Sequence, residues 1–225
     1  MAQSKQTRGK CVFCQREMTR GGLVRHLEAC PQRKEAIAAA DQKRGRRETL
    51  YHLVVRDAWS GSYWLHLEIN GSAILEELDD YLREIWLECC GHLSMFSVGG
   101  WGTPEIAMAR RVLTVLRPGT ELTHIYDFGT ESVTLIKSVG VRKGKPLTTH
   151  PIYLMARNNP LEASCSQCDQ PATWFCTECW DEDDGHPFFC DEHSEEHEHY
   201  DYLMPWVNSP RVGLCGYTGP AEPPY

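Results

Sequence analysis

Twelve cysteine and histidine side chains fall in spacings that suit metal ligation. Near the start, Cys11 and Cys14 are separated by two residues, His26 follows after eleven more, and Cys30 after three. On a helix, His26 and Cys30 share one face, because residues four apart stack one above the other. Two thiols on a short knuckle opposite an imidazole and a thiol on a helix make a tetrahedral set of the Cys2HisCys zinc-finger type, since thiolate sulfur and imidazole nitrogen suit zinc.

The second constellation runs through Cys165, Cys168, Cys176, Cys179, Cys190, His193, His197 and His199. Eight ligands in so short a run cannot all reach one four-coordinate ion, so they read as two closed sites. Pairs that alternate along a small chain interleave. Cys165 and Cys168 would then join Cys190 and His193, and Cys176 and Cys179 would join His197 and His199, an arrangement similar to a B-box cross-brace. The single residue between His197 and His199 is a tight gap, and His186 is an alternative ligand there. The apolar supply of this segment is Trp174, Phe175, Trp180, Phe188 and Phe189, too little for a core of its own. Each structural zinc would contribute on the order of 10 kcal/mol to its folding. Three structural zinc ions are expected in all. Because protein ligands fill every position, the zinc is structural rather than catalytic.

Eleven cysteines, an odd number, mostly in C-x-x-C or C-x-x-H pairs, fit metal ligation in a reducing compartment better than a disulfide framework. The first residues, MAQSKQTRGK, have no apolar stretch of a secretory leader, and no run of eighteen apolar residues follows. The expected location is the cytoplasm, with no membrane partner.

The net charge of −8 over 225 residues hides a polarity. Residues 1–50 hold twelve Lys/Arg against five Asp/Glu, and no basic residue stands between Arg157 and Arg211. Eleven Asp/Glu lie between 165 and 200. Phosphate would be repelled by that segment and attracted to the front end. Candidate nucleic-acid contacts, to DNA or RNA, are Arg16, Arg20, Arg25, Arg33, Lys34, Lys43, Arg44, Arg46 and Arg47. The acidic segment is the candidate surface for a protein partner or for the basic end of a second copy. The blander reading is that it only braces its neighbours.

Something must position these ligands. "AIAAADQKRGRRE" after Cys30 reads as a fading helix and then a basic linker. "LYHLVVRD" and "SGSYWLHLEING" alternate as two strands about a turn at Trp59–Ser62, and "SAILEELDDYLREIWLECC" is a helix with apolar residues at helical spacing. "GHLSMFSVGG" reads as a strand, "RRVLTVLRPG" as a short helix, "ELTHIYDFG" and "ESVTLIKSVGVRKG" as a hairpin about Gly129, and "IYLMAR" as a last strand. The fold class is α+β, a mostly antiparallel sheet with one dominant helix, flanked by small zinc-binding modules. The segments are 1–48 (finger and basic linker), 49–160 (α+β), 161–204 (double-zinc module) and 205–225 (a tail packing on the core).

The order "YHLVV…YWLHLEI…ILEELDDYLREIW…HLSMF…LRPGTELTHIYDFGTESVTLIKSV" resembles the family named after the third open reading frame of an Ri plasmid, some members of which are labelled passenger proteins of insertion elements. Its strongest local matches are Leu116-Arg117-Pro118-Gly119 and Tyr126-Asp127-Phe128-Gly129, and "PWVNSPRVGLCGYTG" at 205–219 is similar to the tail of longer members. The resemblance spans about 50–219 and leaves the N-terminal finger outside. It implies an α+β fold, a cysteine-rich tail in longer members, and no established activity. His92 and Phe96 fit its pattern; the adjacent Cys89 and Cys90 have no role in it.

Three further candidates have ordinary structural readings. His92, His124 and Asp127 could form a polar site, but His124 and Asp127 alternate on a strand and point to opposite faces. Cys89 and Cys90 read as one buried and one exposed thiol, and Cys215 as a buried one. No phosphate-binding loop, nucleophile elbow or H-E-x-x-H helix is present. The expectation is a non-enzymatic zinc protein that binds nucleic acid or acts as a regulatory adaptor associated with mobile elements. The alternatives are a protein adaptor without nucleic acid, and an enzyme using a pocket of the α+β domain.

Overall fold

The computed structural model describes residues 6–181 and 186–225. The acidic residues Glu182, Asp183 and Asp184, counted above toward a protein-facing surface, lie outside the described residues. The described chain is α+β, dominated by one large antiparallel sheet with few helices. It divides into two compact units, 1–82 with 93–159 and Tyr225, and 83–92 with 160–224.

In the first unit, strands β1 (Arg8–Cys11) and β2 (Glu17–Thr19) lead into helices α1 (Arg20–Ala29) and α2 (Pro31–Gln42). Then come β3 (Glu48–Asp57), β4 (Trp64–Asn70), α3 (Leu75–Leu82), β5 (Ser94–Ser97), β6 (Glu105–Ile106), α4 (Val112–Val115), β7 (Glu121–Tyr126), β8 (Ser132–Gly144) and β9 (Ile152–Asn158). The sheet order is β2-β1-β9-β4-β3-β8-β7-β5-β6, antiparallel throughout. Residues 1–48 and 49–160, read in sequence as separate segments, therefore share one sheet, joined where Gly9 pairs with Asn158 and Cys11 with Ala156. Gly9 permits that approach. A Cβ there would lie 1.9 Å from the Arg157 carbonyl oxygen and 2.6 Å from the Trp64 ring.

Turn chemistry sets the hairpins. Asp57 closes the β3–β4 turn by accepting from the backbone N–H groups of Ser60 (2.6 Å), Gly61 (2.9 Å) and Tyr63 (2.9 Å). Asp127, in the left-handed region at φ 64°, accepts from Gly129 and Thr130 to close β7–β8 about the expected glycine. The sequence reads the apolar stretch from Ser72 to Cys90 as one helix. The structure ends the α-helix at Leu82, and a π-helical turn (Arg83–Leu87) of the second unit follows. In that turn the Glu88 N–H reaches back five residues to the Arg83 carbonyl. The linker after Cys30 is more ordered than a fading helix, since α2 runs twelve residues from a proline at its start.

The second unit holds β10 (Trp174–Cys176), α5 (Thr177–Asp181), β11 (Phe188–Phe189), α6 (Asp191–Glu195) and β12 (Leu203–Pro205), with the strands ordered β11-β10-β12. Phe175 sits against Trp180, Phe188 and Trp206. Gly213, at φ 79°, lets the tail pass the Phe175 ring, which would lie 2.7 Å from a Cβ. The tail is held to the residues after α3: Ser209 Oγ donates to the Trp86 carbonyl at 2.6 Å.

Buried and half-buried polar groups sit in the large sheet. Glu68 accepts from Arg33 Nη2 (2.9 Å) and from Arg142 Nε (2.8 Å) and Nη2 (2.5 Å), with its own side chain 3% exposed. His52 Nε2 lies 2.9 Å from His66 Nδ1, and His66 Nε2 lies 3.1 Å from the Arg20 carbonyl. Burial, reinforced by His66 and Arg33, pushes His52 down to about 3. Burial also takes His66 down to about 4, against the opposing bond to the Arg20 carbonyl. Both rings are therefore neutral in the folded chain.

Two outcomes follow. Glu68→Ala strands two guanidinium groups in the interior and should cost about 3–5 kcal/mol in chemical denaturation; a change within 0.5 kcal/mol would refute the buried triad. The histidines have folded pKa values below their unfolded value near 6.5, so the unfolded chain binds more protons and stability falls as pH drops from about 6.5 toward 4. Denaturation midpoints of wild type and His52→Phe over that range should show a shallower loss in the variant.

Candidate metal centres

Among the described residues, four groups of cysteine and histidine bring their ligand atoms within 4.8 Å of one another. A tetrahedral ion with bonds of about 2.3 Å to sulfur and about 2.0 Å to nitrogen sets edges of about 3.8 Å between sulfurs and about 3.5 Å between sulfur and nitrogen. A disulfide would instead need about 2.05 Å. All eleven cysteines are free thiols.

The first centre joins Cys11, Cys14, His26 and Cys30. The knuckle after β1 is closed by the Gln15 N–H on the Cys11 carbonyl and by the Cys11 N–H on the Arg16 carbonyl. Thr19 caps α1, its Oγ1 accepting from the Gly22 N–H. The helix presents His26, whose Nε2 lies 3.1 Å from Cys14 Sγ, and ends at Cys30. Cys11 and Cys30 are buried with Leu23, Leu27, Trp64, Met155 and Ala156, so the centre belongs to a core shared with the sheet. Burial, helped by the Arg16 charge, holds His26 below its ordinary pKa, in the neutral form a metal needs.

The second centre joins Cys165, Cys168, Cys190 and His193, and the third Cys176, Cys179, His197 and His199. This is the interleaved pairing that the spacing suggests. In the second, His193 Nδ1 lies 3.3 Å from Cys190 Sγ and 3.5 Å from Cys165 Sγ, and Cys168 and Cys190 sulfurs are 3.8 Å apart. Cys190 precedes α6 and His193 sits on it. Asp191, accepting from Thr173 Oγ1 and Trp174 Nε1, ties that helix to β10. Burial pushes the Cys165 thiol up, but the backbone bonds at Gln167, Cys190 and Cys168 outweigh it and bring it to about 6. In the third, Cys179 Sγ lies 3.4 Å from both His197 Nε2 and His199 Nδ1. His186 is exposed and is outside this group, so the tight His197-x-His199 gap is accommodated.

The fourth group was not anticipated. Cys89, Cys90 and His92, directly after the π-turn, meet Cys215 of the tail. Cys90 is exposed and Cys89 half-buried, and Cys215 is exposed, which corrects the expectation of a buried thiol. Nothing in local spacing links residues 123 apart; the adjacent cysteines with a histidine two on were the available signal.

The polar candidates do not converge. His124, fully buried, pairs through Nε2 with Asp79 at 2.7 Å and not with Asp127, which closes a turn. Tyr126 is likewise fully buried, and His92 belongs to the fourth group. With His124 and Tyr126 inaccessible, this set offers a substrate no surface.

The basic residues separate into two classes. Arg33 is buried on Glu68 and the Leu27 carbonyl, which corrects its assignment as a phosphate contact. Arg20 is half-buried and donates to the Gly61 carbonyl. Arg16, Arg25, Lys34, Lys43, Arg44, Arg46 and Arg47 are exposed. Arg46 and Arg47 line a groove of about 460 Å³ together with Arg111 and Lys143. Arg47 is also paired with Asp41 at 3.0 Å, and Glu48 in the groove accepts from Ser72 Oγ at 2.6 Å. Sequence reading missed Arg111, at the start of α4, and Lys143, which the β3–β8 pairing brings beside Thr49; only the tertiary fold brings them to the linker.

No family model matches this chain, and no curated protein matches it. Among solved structures it is similar to the crystal structure of a protein of unknown function, MM3350, from Methanosarcina mazei Go1, at 14% identity and a TM-score of 0.40, over 48% of this chain and 67% of that one. A likeness at that level carries no argument. Among the described residues no helix is long and apolar enough to cross a membrane.

Replacing Cys165 or Cys176 by Ala should each remove one bound metal ion per chain, measured by elemental analysis of purified protein. His186→Ala should remove none; a loss there would overturn the assignment of His197 and His199.

Proposed function

We propose that the protein is a non-enzymatic zinc protein whose basic groove receives the phosphate backbone of nucleic acid. The observation that carries the reading is the convergence of Arg46, Arg47, Arg111 and Lys143 on one groove, all four exposed. Zinc is the ion we assign to the three centres foreseen from sequence, because their Cys3His and Cys2His2 donor sets are the ones structural zinc takes. In this reading the zinc braces, and the groove binds. The net charge of −8 does not oppose it, since screening over about 8 Å at physiological salt makes the local field decide. The resemblance to the Ri-plasmid family supports a role in association with mobile elements, as part of the same proposal.

A protein adaptor is the second reading. It is favoured by Trp180, 60% exposed, in a unit that also carries the exposed Glu178, Glu192, Glu195, Glu196 and Glu198.

The test is fluorescence anisotropy with labelled duplex DNA and single-stranded RNA over a salt series. Binding should be micromolar and should weaken with a log–log slope of about −0.7 to −0.9 for each phosphate neutralised. Arg46→Glu with Arg111→Glu should lower affinity at least about tenfold, with unchanged metal content. Absence of binding at low salt would sink the nucleic-acid reading and leave the adaptor.

A further inference from the structure

We propose that Cys89, Cys90, His92 and Cys215 hold a fourth thiophilic metal ion, of the zinc class, that clasps the C-terminal tail to the turn after α3 and is more open to solvent than the other three. The sulfur–sulfur separations and the His92–Cys215 separation lie at the tetrahedral edges set out above, and the His92–Cys90 separation is shorter. Cys89 and Cys90 sulfurs are 3.6 Å apart, Cys90 and Cys215 sulfurs 3.8 Å, and His92 Nε2 lies 3.3 Å from Cys215 Sγ and 2.9 Å from Cys90 Sγ. None of the sulfur separations is a disulfide.

A second observation points the same way. Arg211 is fully buried and donates from Nε (3.4 Å) and Nη2 (3.3 Å) to Cys89 Sγ. A guanidinium that has left water favours an anionic acceptor, and a metal thiolate is one. Three thiolates and a divalent cation carry a net charge of −1, which the buried arginine offsets.

The backbone is shaped for the same meeting. Gly91, at φ 78°, reverses the chain between Cys90 and His92, and its N–H donates to Glu88 Oε1 at 2.5 Å. Cys215 and Gly216 both have positive φ, 49° and 65°, which turns the Cys215 thiol back onto the group. A non-glycine residue in that region is strained unless its surroundings hold it. Ser209 supports the approach, donating to Trp86 and accepting from the Arg211 N–H at 2.9 Å.

Each of the other centres contains at least one buried ligand, whereas this one contains none. A chelator therefore reaches it first. Its loss should free the tail while the three enclosed ions remain.

The experiment is native mass spectrometry of the full chain with elemental analysis, on wild type, Cys215→Ser and Cys90→Ser, followed by a chelator time course with limited proteolysis. Four ions in wild type and three in each variant, with the fourth leaving first and cleavage appearing in 205–217, is the expected result. Three ions in wild type, or four retained in Cys215→Ser, overturns the fourth site and leaves the zinc-braced reading standing. Fewer than three in wild type overturns both. Because the wild-type count decides by itself, a variant that misfolds does not rescue the proposal.

Discussion

The second unit depends on one constraint: thiol and imidazole groups must converge at about the edge length of a tetrahedron. Its strands have two or three residues and its α-helices five. Elements so short do not persist in water by their own hydrogen bonds. The aromatic cluster around Phe175 is real but small. The local architecture is built to aim ligands: Cys190 opens α6, His193 rides on it, and Asp191 pins that helix to β10. Cross-linking through metal, which these clustered ligands are placed to permit, would give a chain with so little core a defined shape.

The first unit uses the same device differently. Its cysteine knuckle is not a free module, because β1 pairs with β9 and the sulfurs of Cys11 and Cys30 lie in a core with Trp64 and Met155. The sheet thus positions the ligands from one side, and α1, held by its threonine cap, positions them from the other. The same docking brings Arg33 over the sheet, where Glu68 captures it with Arg142. An arginine that composition alone would offer to phosphate is consumed inside, while Arg111, at the start of α4, and Lys143, of β8, are added at the surface.

The polarity of charge remains the feature that gives these pieces a direction. Acidic residues accompany the metal-rich segment, while Arg46 and Arg47, just after α2, edge the groove with Arg111 and Lys143. In our reading, bracing and binding are separate jobs for separate residues. The ligands are enclosed or committed to one another, and the groove's cations remain exposed.

Much of the fold was legible in the chain because its signals are local. Apolar alternation marked β3, β4, β7, β8 and β9, Gly129 marked a hairpin, and ligand gaps of one to three residues within pairs marked the twelve side chains of three centres. The end of α3 was not legible, since the apolar spacing continues past Leu82 while the backbone changes to a π-turn. His124 gave no sign of choosing Asp79, because that partner lies 45 residues away on a helix. By itself, the sequence determined which residue types could ligate, which segments were strands, and where charge accumulates, all properties of neighbours along the chain. Only the tertiary structure decided that Cys215 meets Cys89, Cys90 and His92, that Arg33 is buried and that Arg111 joins Arg46. Those contacts depend on strand pairing and chain reversal, which no local spacing encodes.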